Sequence, residues 1–152
     1  VVISDFITKI FRANVNSVTT SVRISRPFEP DGLGQPPRPY QTSALWDTGS
    51  SHCLITKSLA QSLDLRPVRQ ARVMHHDGVT FFDVYFAALY VTRKYYVEVA
   101  LTETGAPSDN FELIIGMDVI SKGDFALTNQ KDVMVFSFRL PSSTTIDFGK
   151  NP

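Results

Sequence analysis

The sequence predicts a mostly β protein with one or two short helices, and three observations carry that expectation. Runs such as residues 17–26, 40–46, 79–86 and 133–140 are rich in Val, Ile, Thr, Tyr and Phe and are bounded by turn residues, the pattern of strands. Asp77-Gly78 stands between two such extended runs, a strong hairpin signal. Pro27, Pro30, Gly32, Gly34, Pro36, Pro37 and Pro39 forbid regular structure between two strands and leave a long exposed loop instead of a domain boundary. At 152 residues the chain is expected to form one domain with a real core.

In order along the chain, Ile3, Phe6, Ile7, Ile10 and Phe11 recur at helical spacing behind Ser4 or Asp5 as a cap. The segment reads as an amphipathic helix, with a strand as the competing reading. Val18, Val22 and Ile24 among hydroxyl residues mark the first core strand, and 40–46 is the strand that returns after the proline-rich loop. Cys53-Leu54-Ile55 reads as a short buried strand. Thr56 caps a helix with Leu59, Ala60 and Leu63 on its apolar face, closed by Pro67. Residues 68–74 and 79–86 flank His75-His76-Asp77-Gly78 as a hairpin. The stretch 81–101 holds two core strands broken near Thr92-Arg93-Lys94, and 105–110 is a loop. Residues 124–128 and 133–140 form a last hairpin, followed by a frayed tail over 142–152.

Composition narrows the function. Fifteen basic and fifteen acidic side chains give a formal net charge of zero, which argues against an electrostatic nucleic-acid or membrane-surface binder and favours polypeptide partners. One cysteine, Cys53, excludes an internal disulfide and leans towards a reducing compartment. No apolar run reaches the length of a membrane span and the first residues lack a basic-then-apolar signal pattern, so a cytoplasmic location is expected.

The chemistry converges on Asp47. The apolar run Ala44-Leu45-Trp46 ends abruptly in Asp47-Thr48-Gly49-Ser50-Ser51, an order that suits a carboxylate held at a strand end by a tight loop. Two such carboxylates facing one another across a water cannot both ionise, so they share a proton, and one acts as base while the other acts as acid. Thr48 supplies a hydroxyl for neighbouring backbone, Gly49 permits close approach or positive φ, and Ser50 is placed to bond the outer carboxylate oxygen. A plain Asx-type turn is the bland alternative.

Asp47-Thr48-Gly49-Ser50 after an apolar strand resembles the active-site signature of aspartic proteases. Phe111-Glu112-Leu113-Ile114-Ile115-Gly116-Met117-Asp118-Val119-Ile120 is similar to the second signature of the retropepsin-like family. The separation of the two suits a retroviral-type chain and is too short for a complete pepsin, and residues 122–128 and 136–141 look like bacterial single-domain members. The resemblance implies a closed β-barrel or sandwich over residues 1–152, with 1–16 as an N-terminal extension and 142–152 as a flexible tail. It implies Asp47 as the catalytic residue, Ile114, Ile115 and Gly116 as a strand supporting the active-site loop, and the hairpin at His75, His76, Asp77 and Gly78 as a flap over substrate. No metal or organic cofactor is required. Because the chain carries one Asp-Thr-Gly, the second acid is expected from a second copy, making a homodimer with the site on its two-fold axis. Glu103-Thr104-Gly105 lacks the apolar strand before it, and Asp31-Gly32 and Asp77-Gly78 lack the threonine. Residues 136–138 or 3–11 are the candidate terminal contributions to that interface.

The residues also offer three competing assignments. His52 and Cys53 are adjacent on a strand and point to opposite faces, which disfavours a Cys-His nucleophile and leaves Cys53 as a small core residue. His75 and His76 splay apart for the same reason, so a metal site with Asp77 is disfavoured. Asp118, with no Thr-Gly after it, is expected to bond backbone or an arginine. The reading that results is an aspartic endopeptidase; its rivals are a catalytically silent retropepsin-like dimerisation or peptide-binding module, and a generic β-domain whose two signatures coincide by chance.

Overall fold

The long strand that runs up to Tyr90 organises the architecture, because different parts of its length pair with three partners. The computed structural model describes residues 3–13, 15–29, 34–105 and 110–150. In chain order the elements are β1 (Asp5–Phe11), β2 (Val18–Ser25), β3 (Tyr40–Trp46), β4 (Leu54–Thr56), α1 (Lys57–Ser62), β5 (Arg69–His75), β6 (Gly78–Tyr90), β7 (Tyr96–Thr104), β8 (Leu113–Ile115), α2 (Met117–Ile120), β9 (Asp124–Gln130) and β10 (Val133–Leu140). The larger sheet runs β2-β3-β8-β4-β7-β6-β5, and β2 pairs again with the end of β6 at Arg23–Tyr90, Ile24–Leu89 and Ser25–Ala88. That second pairing closes six strands into a barrel, which removes their free edges. β5 is left outside the closure, held on one side to the first half of β6.

A second sheet, β1-β10-β9, packs against the barrel through aromatic side chains. Trp46, the last residue of β3, meets Phe136 at 4.9 Å and Phe138 at 4.8 Å between ring centroids, with Phe125 at 6.2 Å. Phe136 and Phe138 are fully buried, and the Trp46 indole N–H is satisfied by Thr20 Oγ1 at 2.8 Å. Buried polar groups that keep a partner avoid the desolvation cost of an orphan.

Residues 5–11 are a strand, not the amphipathic helix that the apolar spacing suggested. Ile7 and Phe11 pack on the core while Phe6 and Ile10 are exposed, so the strand shows one apolar pair to each side. A separation of four satisfies the helical and the extended period alike, and antiparallel pairing with β10 decides between them. Asp5 caps no helix; its carboxylate accepts from the Lys94 N–H at 2.7 Å.

Thr56 caps α1 as expected, accepting from the Leu59 N–H at 3.3 Å, and Leu59 and Ala60 are buried. The helix is closed earlier than Pro67. Asp64 takes φ 51°, its N–H bonds to Gln61 O at 2.9 Å and the Leu65 N–H bonds to Ala60 O at 3.0 Å. Those two bonds are a Schellman closure with aspartate in the left-handed position that glycine usually fills. The β5–β6 hairpin turns at His76 and Asp77, with Gly78 following at φ 135°. The β9–β10 hairpin turns on Lys131 and Asp132, both at positive φ. After the last strand, Ser142 Oγ and the Ser143 N–H both donate to the Asp124 carboxylate, so residues 142–143 are tied to β9. Pro30, Asp31 and Gly32, the centre of the loop expected at 105–110, and the final two residues of the tail lie outside the described residues.

Candidate active site

Asp47 is the first residue past β3, and its place is set by the strand beside it. β3 and β8 pair in parallel, Ala44–Leu113, Leu45–Ile114 and Trp46–Ile115, and the Asp47 N–H extends that ladder by donating to Ile115 O at 3.0 Å. The carboxylate is then fixed from its own loop. The Gly49 N–H donates to Asp47 Oδ1 at 2.8 Å, and the Ser50 N–H donates to Asp47 O at 3.2 Å. Gly49 serves close approach here, not positive φ, because a Cβ on it would stand 3.1 Å from Asp47 Oδ1.

Ser50 does not bond the Asp47 carboxylate. Its hydroxyl donates to His52 O at 2.7 Å and braces the loop on itself. Thr48 is exposed, and neither its hydroxyl nor Asp47 Oδ2 has a hydrogen-bond partner among the described residues.

Ile114, Ile115 and Gly116 thread beneath this loop. β8 lies between β3 and β4, pairing with the latter at Leu54–Ile114 and Ile55–Leu113. A Cβ on Gly116 would stand 2.6 Å from the His52 carbonyl atoms and 2.9 Å from Ser50 O, distances no side chain tolerates against backbone. The crossing is sealed by the Met117 N–H donating to Ser50 O at 2.8 Å. Glycine is required at 116 because two backbone segments touch there.

Asp118 and Cys53 form a pairing that sequence reasoning did not foresee. The Cys53 N–H donates to Asp118 Oδ2 at 3.0 Å, the thiol donates to Oδ1 at 2.9 Å, and the Gly116 N–H reaches Cys53 Sγ at 3.2 Å. Asp118 thus bonds backbone, as expected, but its second partner is a thiol and not an arginine. Burial, and then the hydrogen bond to Asp118, push the Cys53 thiol well above its ordinary range. A thiol held protonated and fully buried is no nucleophile. His52, its neighbour, is exposed.

The hairpin residues sit elsewhere. His75 shares a hydrogen bond with Thr80 Oγ1 at 2.8 Å and His76 pairs with Asp77 at 2.9 Å, all at an exposed tip. No group of three or more metal-ligating side chains occurs among the described residues. What approaches the Asp47 loop is the stem of this hairpin. A cleft of about 370 Å³ has Ser50, Ser51 and His52 on one wall and Arg69, Arg72 and Val73 of β5 on the other. A larger cleft of about 490 Å³ lies around Arg26, Asp64 and Phe86, but it contains no residue of the Asp47 loop.

No protein-family profile and no curated protein matches the sequence. Among solved structures, the chain is similar to a retropepsin-like aspartic protease from Rickettsia conorii, with a TM-score of 0.50, 12% identity, and coverage of 90% of this chain and 94% of that one. It also matches the protease of simian foamy virus (mac), with a TM-score of 0.45, 16% identity, and coverage of 67% and 92%. The fold is therefore retropepsin-like: a mostly β closed barrel with two short helices, in which the Asp-Thr-Gly loop and the strand ending in Gly116 meet.

Proposed function

We propose that this chain is an aspartic endopeptidase whose active site is assembled from two copies, each contributing Asp47. The observation that carries the reading is the half-site itself: a carboxylate with Oδ1 held by the Gly49 N–H and Oδ2 left free, on a loop braced from below by Gly116. In the shared site one Asp47 is ionised and takes a proton from the water as its oxygen bonds to the peptide carbonyl carbon. The other Asp47 is protonated and donates to the carbonyl oxygen. Collapse of the tetrahedral intermediate breaks the C–N bond, the proton gained by the first carboxylate passes to the leaving amine, and one hydroxyl of the intermediate returns its proton to the second carboxylate as the acid product forms. Each Thr48 hydroxyl is free to bond the partner's loop. The β5–β6 hairpin, with His75, His76, Asp77 and Gly78 at its tip, closes over the bound polypeptide. No helix among the described residues is long and apolar enough to cross a membrane.

The test is cleavage of a diverse peptide library by wild type and by Asp47→Asn. The variant is expected to keep its circular dichroism and melting behaviour and to lose at least ~10²-fold in rate, the scale of a lost general base. Wild-type activity should trace a bell against pH, as a pair sharing one proton requires. A folded Asp47→Asn protein that cleaves at the wild-type rate would overturn the assignment. Peptide binding without turnover by wild type would favour the silent module.

A further inference from the structure

The downstream end of the Asp47 loop is fastened by a side chain that the shared mechanism does not use. Upstream the holds are backbone to backbone: the Asp47 N–H donates to Ile115 O at 3.0 Å and the Met117 N–H to Ser50 O at 2.8 Å. Downstream, Asp118 turns both oxygens to residue 53, taking the Cys53 N–H on Oδ2 at 3.0 Å and the thiol on Oδ1 at 2.9 Å. The thiol sulfur in turn accepts from the Gly116 N–H at 3.2 Å. Gly116 and Asp118 flank Met117, so these bonds close a ring that ties the loop to the end of β8 and to α2. A hydrocarbon of similar size fills the same space, but only a group that both donates and accepts closes the ring.

We propose that Asp118 is a positioning residue: acting through Cys53, it fixes the Asp47 loop against β8 and so sets where the two Asp47 carboxylates meet. The proposal rests on the endopeptidase reading and adds to it a residue that acts through the loop. Ile115 O, which takes the Asp47 N–H, and Gly116, which binds the thiol, are consecutive, so a loop released at Cys53 loses its place on the same strand that sets Asp47. Two carboxylates that share a proton need to stand within about 2.6–3.2 Å of their hydrogen-bond partners, and a displacement of about 1 Å costs on the order of 10²-fold in rate. Cys53 is fully buried, and burial, then Asp118, keep its thiol protonated and therefore a donor. Removing the Asp118 carboxylate leaves that thiol and the Cys53 N–H without their acceptor.

The experiment measures kcat and KM for wild type, Asp118→Ala, Cys53→Ser, Cys53→Ala and Cys53→Val, and reads amide hydrogen exchange by NMR at Asp47 and Met117, with the amides of β10 as the control. Asp118→Ala should lower kcat by about 10- to 100-fold while KM changes by less than about threefold. Exchange at Asp47 and Met117 should quicken by about tenfold or more, and the β10 amides should change by less. Packing alone ranks valine and alanine above serine at a buried position, because a hydroxyl resists burial. The ring ranks serine above both: Cys53→Ser should keep kcat within about threefold, and Cys53→Ala and Cys53→Val should each lose about tenfold. Wild-type kcat in a folded Asp118→Ala protein, or Cys53→Val as active as Cys53→Ser, overturns the proposal. Exchange that quickens equally in the loop and in β10 also overturns it, since Asp118 would then stabilise the fold at large. If Asp118→Ala does not fold, serine against valine at residue 53 decides. If wild type cleaves nothing, the endopeptidase reading falls, and exchange in the folded variants decides the positioning role: selective quickening at Asp47 and Met117 sustains it, and equal or absent quickening ends it.

Discussion

The loop at residues 47–53 is a short polar turn after β3 and the hairpin arm at 69–82 is two extended segments joined by one at His76 and Asp77, and the molecule holds them in opposite ways. The loop is clamped from every side. Ile115 O takes the Asp47 N–H, Met117 donates to Ser50, Gly116 touches the His52 backbone, and the Trp46 aromatic cluster packs directly before it. The arm is held by one partner: among the described residues β5 pairs only with β6, and Met74, Val79 and Phe81 are 73%, 42% and 59% exposed. The contrast suits the parts proposed for the two regions: a carboxylate proposed to meet its twin within hydrogen-bond reach would need a floor that does not move, and a proposed flap would come from the weakly held end of the stability range.

The sharpest contrast should appear between two phenylalanines. Phe136→Ala removes a fully buried ring packed at a tilt against Trp46 and is expected to cost about 3–5 kcal/mol, whereas Phe81→Ala on the arm should fall within ~0.5 kcal/mol. Urea unfolding followed by tryptophan fluorescence measures both. Equal losses would erase the distinction between floor and arm.

The two glycines sharpen it further. Gly116→Ala drives a Cβ into backbone and should destabilise by about 2–4 kcal/mol, moving the Asp47 loop with it. Gly78→Ala has open space around it and suffers only the strain of φ 135°, about 1 kcal/mol. Turnover should fall more than stability for Gly78→Ala, since the change is confined to the hairpin. A Gly78 variant as unstable as the Gly116 variant would mean the arm is part of the core.

The smallest effect is an acid one. Burial works against ionisation of Asp124, but the Ser142 hydroxyl, the Ser143 N–H and Arg139 outweigh it and hold the carboxyl down at about 2. A group depressed in the folded state contributes its stabilisation above its unfolded value near ~3.9 and loses it as pH falls towards about 2. The wild-type unfolding free energy from urea titrations should therefore drop between about pH 4 and 2 by an amount on the order of 1 kcal/mol. Asp124→Asn should show less of that drop. An unchanged pH dependence in the variant would remove Asp124 from the account of how residues 142–143 are tied to β9.

What was legible in the sequence was what local chemistry dictates. β3, the Asp47 loop, the Thr56 cap, the β5–β6 hairpin and the β8–Gly116 strand each carry their signal in a few adjacent residues. The failures share a cause, competition settled at long range. Residues 5–11 satisfied two periods until β10 paired with them; the closed barrel follows from the resemblance, but nothing local announces that β2 and β6 are the strands that close it. Pro67 is a louder helix stop than Asp64, yet Asp64 makes the closing turn. Within the site, the Cys53–Asp118 pair joins residues 65 positions apart, and the Ser50 hydroxyl had a backbone carbonyl within reach that the motif does not display.

The measurement that tests the central claim most directly is a mixing titration of wild type with increasing excess of Asp47→Asn, allowing time for subunit exchange, with peptide cleavage as the readout. If each working site needs two Asp47 carboxylates from two copies, activity per wild-type chain should fall in proportion to the fraction of wild-type partners and approach zero at large excess. Activity that stays constant per wild-type chain, in a mixture shown by sedimentation to contain exchanged dimers or only monomers, would contradict the shared site.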